Sequence, residues 1–447
     1  MNISGKNLSK NAVWTLGLKI FGATSGLLVM IILTRVLTVS DMGYFVIAQS
    51  LGIFIAMLAR LGMKQPVVKL ISRALAKENF GQINEIIKST QLIVGAGVLI
   101  VIIIIWGGTG KWMFESVFSA PQIFESLIFW LLLVLILAFQ SPLAETFRGL
   151  HNVRFAMLFD GPFGNFIFLV FLTALYLIHS DISFEKALVL LCLSVGVNYI
   201  IGFFKLRNLV EKYPSSKRIY PLGEMLELGF PVLLVNVSAY LVAQSGLWVC
   251  GAYLEPDQAA IFGTALRFML VISLPVFVLN MVIQPVIVHL HTLGDKDELQ
   301  KQIRRATTFA TIPSFIMCIG VITYAARIME VMFGIGYVSG ATALIFLTIA
   351  QLIVVWVGPC VNFMLLAGGQ KIVARVVIMT GMLTVFGSLY LVNYYGITGV
   401  AAATSIGLIM QMILVWMLAK KTGGVFTHAY CHPVVIYKLL IGLKHHG

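Results

Sequence analysis

Apolar runs of roughly 18–25 residues recur from one end of this chain to the other, and each is long enough as a helix to cross a hydrocarbon core about 30 Å thick. They fall near 11–35, 41–63, 89–107, 124–147, 155–178, 187–204, 225–250, 259–282, 306–327, 341–366, 372–392 and 397–419. Only short connections separate them. At 59% hydrophobic and 11% charged, the chain carries far less charge than the ~25% typical of a soluble domain. The polar/apolar alternation of barrel strands is absent, so the spans are read as helices, which satisfy their own backbone in lipid. The first run is too long for the core of a cleavable signal peptide and no small-residue cleavage site follows it.

The formal charge of +13 invites a nucleic-acid reading until the charges are placed. With the N-terminus in the cytoplasm, most of the 31 Lys and Arg fall in cytoplasmic connections. Arg35, Lys111, Lys186 and Arg327 stand at external ends, and Lys19, Arg60 and Arg267 lie inside spans. This positive-inside bias predicts that both termini are cytoplasmic. It also makes the basic residues a record of topology, with attraction to anionic headgroups added. No nucleic-acid partner is expected.

The second half echoes the first. Gln65-Pro66-Val67-Val68 follows the second span and Gln284-Pro285-Val286-Ile287 the eighth. Pro142 in the fourth span answers Pro359 in the tenth, and Leu175-Tyr176-Leu177 answers Leu389-Tyr390-Leu391. The same order at nearly the same spacing predicts a duplication. Each half has six helices, so the two repeats are parallel, an arrangement that places a substrate between lobes. The expected organisation is a lobe at 1–204, a flexible cytoplasmic linker at 205–221, a second lobe at 222–420 and a cytoplasmic tail at 421–447.

Seven prolines fall inside the runs: Pro142, Pro162, Pro231, Pro275, Pro285, Pro313 and Pro359. Membrane helices tolerate proline, so most are read as packing features. Asp160-Gly161-Pro162 stands apart because an acid adjoins a helix break. Charges deep in a span cost at least about 2.5–3.5 kcal/mol each and usually face a cavity. Lys19 and Arg267 are deep enough for that role, Arg60 is within snorkelling reach of the inner end, and Arg35 stands at the outer mouth. Glu145 and Arg148, three residues apart, are expected to pair at the interface. Cations dominate within the spans, which points to an anionic substrate. Gln140, Asn165, Asn198, Asn236, Gln244, Asn280, Gln284, Gln351 and Asn362 suit sugar recognition or helix-to-helix hydrogen bonding, and the second is favoured for most.

Cys192, Cys250, Cys318 and Cys360 are scattered through spans and Cys431 lies beyond them, giving neither a disulfide framework nor a metal cluster. His428 with Cys431 and His432 matches no standard metal spacing. His179 and Asp181 lack a third catalytic partner. No Walker phosphate loop is present, so no cofactor is expected. The longest external loop, about 107–123, is short for a glycan polymerase, and residues 433–444 are expected to form an interfacial helix.

The sequence resembles the polysaccharide-transport branch of the multidrug/oligosaccharidyl-lipid/polysaccharide exporters. Thr34-Arg35-Val36-Leu37 followed by Asp41-Met42-Gly43-Tyr44-Phe45 resembles its first loop. Tyr395-Gly396-Ile397-Thr398-Gly399-Val400-Ala401-Ala402-Ala403-Thr404 resembles its twelfth-helix entry, and Ala265-Leu266-Arg267 its basic eighth-helix motif. The likeness runs over about residues 5–420. It implies an all-α, MATE-like membrane fold of about twelve helices in two parallel six-helix lobes. It further implies a flippase that moves a polyprenyl-pyrophosphate-linked oligosaccharide from the cytoplasmic to the outer leaflet. Arg267 and Lys19, with Arg60 and Arg35 as further candidates, would meet the pyrophosphate, and Asp160 is the candidate for coupling to a proton or sodium gradient. A drug/cation antiporter of the same superfamily is the first alternative, and a membrane glycan polymerase the second. The expected partners are the lipid-linked oligosaccharide, membrane lipids and a polysaccharide polymerase, around a monomer in a bacterial cytoplasmic (inner) membrane. Peptidoglycan-precursor flippases of the superfamily carry two extra helices after the second lobe; the apolar runs here stop near Lys420, so that subfamily is not expected.

Overall fold

A computed structural model describes residues 5–178, 182–214 and 218–430. His179, Asp181, Cys431, His432 and the segment 433–444 lie outside the described residues. The chain divides into two compact units, Met1–Ala260 and Ile261–Gly447.

The first unit is built from α1 (Gly5–Val36), α2 (Val39–Ala59), α3 (Lys64–Ala76), α4 (Phe80–Ile104), α5 (Pro121–Glu125), α6 (Leu127–Gly149), α7 (Val153–Phe159), α8 (Pro162–Leu177), α9 (Phe184–Val210) and α10 (Leu222–Tyr253). Local chemistry starts these helices where the runs begin. The Thr38, Asn152 and Ser183 side chains accept from the backbone N–H groups of Asp41, Phe155 and Lys186, capping α2, α7 and α9. Helix α3 is amphipathic: Val67, Leu70, Ile71 and Ala74 are buried on one side, while Lys69 and Arg73 are exposed. Its buried side packs on α6, where Ser72 Oγ donates to the Gly149 carbonyl at 3.2 Å.

Helix α10, which the halves of the sequence assign to the second lobe, packs here against α2 and α3. Tyr240 Oη donates to the Ser50 carbonyl at 2.9 Å, and Trp248 Nε1 donates to Ser50 Oγ at 3.0 Å. At one end the backbones touch: a β-carbon on Gly62 would lie 2.0 Å from the Gly229 carbonyl oxygen. Two described residues of the expected linker, Pro214 and Tyr220, accept hydrogen bonds from α4. Ser89 Oγ donates to the Tyr220 carbonyl at 2.8 Å, and Asn84 Nδ2 to that of Pro214 at 2.9 Å.

The segment at 107–123, expected as an external loop, is not open loop but largely helical turns. Ile105–Thr109 and Trp112–Val117 wind as wide helical turns before α5. Phe114, fully buried, sets its ring edge-on to Trp130 at 5.1 Å, which folds the segment back onto α6.

The second unit, from Ile261, holds the rest of α11 (Pro256–Ile272), then α12 (Leu274–Leu293), α13 (Lys296–Phe333), α14 (Ala341–Val357), α15 (Cys360–Leu366) and α16 (Gln370–Gly423). Its core includes Ile283, Ile287, Ile303, Val357, Phe363 and Val415. Pro256–Met269 of α11 and Leu274–Asn280 of α12 meet at a 45° bend, the geometry of a broken span or a re-entrant loop, with Pro275 in the first turn after the bend. Helix α16 is 54 residues long, about 80 Å if straight, far more than a bilayer needs. It is a hairpin. Gly396 (φ 53°, ψ −136°) breaks it, and across the break Gly387 faces Ala403 and Gly407 faces Thr384.

Among the described residues ten helices are long and apolar enough to cross a membrane, and the bent pair makes up to eleven. Counting the two arms of α16 separately recovers the twelve runs of the sequence. This is an all-α, multi-pass membrane protein.

Gly396→Ala should lower the thermal unfolding midpoint of the detergent-solubilised protein, because its backbone angles are nearly glycine-only and cost roughly 1–3 kcal/mol otherwise. Gly320→Ala, in a helix with open space at the β-carbon, should be neutral or slightly stabilising in the same measurement. Equal midpoints for both variants would refute the hairpin geometry.

Candidate functional site

Two backbone breaks at one end of the first unit assemble a charged cluster. After α2, Leu61 (φ 47°) and Gly62 (φ 75°) turn the chain through left-handed conformations, and Lys64 opens α3. No proline stands at the turn itself, so the interruption rests on Gly62 and its tight approach to Gly229, with Pro66 in the first turn of α3 unable to bond back across it. The second break is Asp160-Gly161-Pro162, where α7 ends and α8 begins with Gly161 at φ 141°. Proline lacks the N–H that would continue the helix. The carbonyl of Phe159 is sealed instead by side chains: Gln140 Nε2 from α6 donates to it at 2.9 Å and Asn198 Nδ2 from α9 at 3.2 Å. Both amides are buried, so these two polar residues hold helices together as expected.

The breaks bring Lys64 between two carboxylates, with its Nζ 3.4 Å from Glu145 Oε1 and 3.8 Å from Asp160 Oδ2. Arg148 Nη1 donates to both Glu145 oxygens, at 2.7 and 2.5 Å. The expected Glu145–Arg148 pair forms, but not as a surface pair: the Glu145 side chain is only 2% exposed, whereas Lys64 is 37% and Arg148 33% exposed. A buried carboxylate is tolerated because two cations share it. Arg60, partly buried at the C-cap of α2, lies in the field of Asp160 and Glu145.

A cavity of about 400 Å³ opens beside this cluster, lined by Lys64, Gln65, Val68 and Lys69 of α3, Glu145 and Arg148 of α6, and Asn236 of α10. Its lining carries three cationic side chains, Lys64, Lys69 and Arg148, and one carboxylate, Glu145. Both contacts of Lys64 are longer than a good hydrogen bond, which leaves donors of its ammonium free for a further oxygen. Arg148 spends one nitrogen on Glu145 and turns another to Met157 Sδ at 3.6 Å.

Of the residues singled out from sequence, Asp160 and Arg60 join this cluster. Lys19, partly buried in α1, and Arg35, exposed in its last turn, do not line the cavity. Arg267 is partly buried on α11 in the second unit. Lys64 and Lys69 went unrecognised because they read as an ordinary basic connector. The available signal was Lys64 four residues after Arg60, next to Gln65-Pro66. Among the described residues no group of three or more His, Cys, Asp or Glu is placed to hold a metal.

The fold is that of the transporters of the MOP superfamily. Similar solved structures include an inward-facing multidrug resistance MATE family transporter of that superfamily, with TM-score 0.72, 15% identity, and coverage of 98% of this chain and 100% of that one. The lipid II flippase MurJ in an inward closed conformation aligns with TM-score 0.71 at 14% identity, over 97% of this chain and 93% of that one. A MOP superfamily transporter from Pyrococcus furiosus aligns with TM-score 0.61 at 14% identity, over 92% and 94% of the two chains. No curated protein sequence matches. The family pattern of polysaccharide biosynthesis proteins matches residues 8–291, well over half of the sequence, and the chain belongs to that family.

Glu145→Ala would leave Lys64 and Arg148 facing each other without their shared carboxylate and should destabilise the protein by about 1–3 kcal/mol. Adding Arg148→Ala should cost less than the sum of the two single losses, read as thermal unfolding midpoints in detergent. Strictly additive losses would show that the pair is uncoupled.

Proposed function

We propose that this protein is a flippase that carries a polyprenyl-pyrophosphate-linked oligosaccharide from the cytoplasmic to the outer leaflet by alternating access. The observation that carries the reading is the cavity of the first unit, lined by Lys64, Lys69 and Arg148 against the single carboxylate of Glu145. A cavity whose lining cations outnumber its acids suits an anionic substrate. Arg and Lys are also the side chains suited to phosphate oxygens. Membership of a polysaccharide biosynthesis family and a fold shared with a lipid II flippase support the same substrate class.

In this reading Lys64, Lys69 and Arg148, with Arg60 behind them, receive the pyrophosphate. Lys19 and Arg267 hold it as the lobes rearrange, and Arg35 meets it at the outer mouth. The lipid tails stay in the bilayer, and polar side chains such as Asn236 contact the glycan. Asp160 is the coupling group: it is 27% exposed and shares Lys64, so its protonation or replacement by a phosphate changes what Lys64 holds. The setting is a bacterial cytoplasmic membrane with both termini inside, the protein acting as a monomer beside a polymerase. The two six-helix halves are the moving lobes, and the chain performs transport, not covalent chemistry.

A drug/cation antiporter would need a carboxylate available to a cationic ligand. Both acids of this cluster are instead shared with Lys64.

Purified protein in liposomes, supplied with a fluorescent polyprenyl-pyrophosphate oligosaccharide, should accelerate leaflet exchange severalfold or more over empty vesicles. Lys64→Gln with Arg148→Gln, and separately Lys19→Ala or Arg267→Ala, should abolish that acceleration while the amount of inserted protein is unchanged. Drug efflux or glycan elongation without accelerated exchange would overturn the flippase reading. Normal exchange by all three variants would overturn the cationic mechanism alone.

A further inference from the structure

Helix α16 ends at Gly424 in the left-handed conformation (φ 70°), and residues 425–430 then run back over the second unit. Val425, Thr427 and Ala429 are buried, whereas Phe426, His428 and Tyr430 are only partly so, the alternation of an extended strap. It crosses the break between α14 and α15, where Gly358 (φ 80°) and Pro359 interrupt the helix. The carbonyls left over at that break are sealed by the strap. Ala429 N donates to the Trp356 carbonyl at 2.9 Å, and Thr427 Oγ1 to that of Val357 at 2.8 Å. Helix α13 fixes the other edge: Phe426 N donates to Gln300 Oε1 at 2.8 Å and Tyr430 N to Thr308 Oγ1 at 2.9 Å.

His428 sits at the centre of this strap. Its ring packs against Trp356, Trp416 and Phe426, each with centroids 5.4 Å away. Trp416 Nε1 is 3.3 Å from Nδ1, and Arg304 Nη2 is 3.4 Å from Nε2. Indole and guanidinium groups donate hydrogen bonds and accept none. A neutral imidazole offers one acceptor nitrogen and so satisfies one of these neighbours. An imidazolium offers none, turns two N–H groups on two donors, and places its charge beside Arg304.

Among the described residues, the charged groups that contact the strap are cations. Arg304 donates to the His428 carbonyl at 3.2 Å and stacks over Tyr430 at 4.0 Å, Lys420 lies over Phe426 at 4.6 Å, and Lys296 reaches toward Gly424. Two acids of the facing helix end are engaged elsewhere: Asp295 caps the Glu298 N–H, and Glu298 serves Lys301 and Gln302.

We propose that residues 425–430 are a proton-sensitive strap, docked over the α14–α15 break while His428 is neutral and released when it is protonated. Burial first and Arg304 second hold the docked imidazole below its ordinary value of 6.5. Docking is therefore fully favourable above that value. As the pH falls below it the released form takes up the proton, and docking weakens by up to about tenfold per pH unit until the docked imidazole itself titrates. Release would uncover the carbonyls of Trp356 and Val357 and free the joint between α14 and α15.

Hydrogen–deuterium exchange of the full-length protein in detergent, between about pH 5 and about pH 8 and corrected for the intrinsic rate, tests this. Protection of the Phe426, Ala429 and Tyr430 amides should fall several-fold or more on acidification below about pH 6.5. His428→Phe keeps an aromatic ring in the socket and should retain protection at every pH. Should that variant fold poorly, Arg304→Gln, which keeps the histidine and its burial but removes the facing charge, should reduce the pH dependence without abolishing it. Thr427→Val should weaken protection uniformly with its pH dependence kept. Wild-type protection that is the same at both ends of the range, or an acid loss that persists in His428→Phe, overturns the strap.

Discussion

A peptide carbonyl left open in lipid has no water to accept from, and the cost of several kcal/mol explains why spans are continuous helices unless something seals them. This chain interrupts its helices inside or at the edge of the apolar layer, and the seals differ in kind. At Asp160-Gly161-Pro162 two side-chain amides from neighbouring helices converge on the Phe159 carbonyl. At Gly358-Pro359 the strap supplies a backbone N–H and a threonine hydroxyl. At Leu61-Gly62 short local bonds, Leu61 N to the Leu58 carbonyl and Met63 N to that of Arg60, close the turn, and Gly229 covers it. Each seal decides what lies beside it, so the breaks and the chemistry coincide.

The charged cluster follows from the same constraint. Glu145 sits on an unbroken helix and is buried, a position that would be prohibitive for a lone carboxylate. The break after α2 delivers Lys64 to one side of it, and the helix turn delivers Arg148 to the other. Without the turn at Leu61-Gly62, α2 would continue and Lys64 would stand one helical turn beyond Arg60, away from the start of an independent α3. The excess of cations is therefore made by backbone geometry as much as by composition.

Much of this was legible in the residues. The apolar runs located the spans, and Asp160-Gly161-Pro162 announced its break through proline chemistry. Pro142, matched to Pro359 in the repeat and read as a packing feature, leaves α6 unbroken, and the Thr146 hydroxyl returns to its carbonyl at 2.8 Å, whereas Pro359 stands at a break. Proline alone does not break a membrane helix. A positive-φ glycine beside it does, as Gly161 and Gly358 show. The Leu61-Gly62 turn had no such signature, and so the cavity it creates stayed hidden. The wide turns at 105–117 read as a loop because their polar and aromatic residues lack helical periodicity. The strap carried a faint period-two pattern, Val425-Phe426-Thr427-His428-Ala429-Tyr430, too short to outweigh its place in an expected tail.

The two sealed breaks of the first unit are also mechanically joined. Asp160 is the residue next to the clamped Phe159 carbonyl, and its carboxylate shares Lys64 with Glu145. The Lys64–Asp160 contact is long and more than a quarter exposed on both sides, so it is worth no more than about 1 kcal/mol. The amide clamp on Phe159 is buried and stronger. Under the proposed reading, an incoming phosphate that draws Lys64 toward the cavity breaks the weak link and spares the strong one. On that reading the α7–α8 joint keeps its seal against lipid while the Asp160 carboxylate is released from Lys64. A weak ion pair beside a strong polar clamp would then let substrate binding be felt at a helix joint without unfolding it.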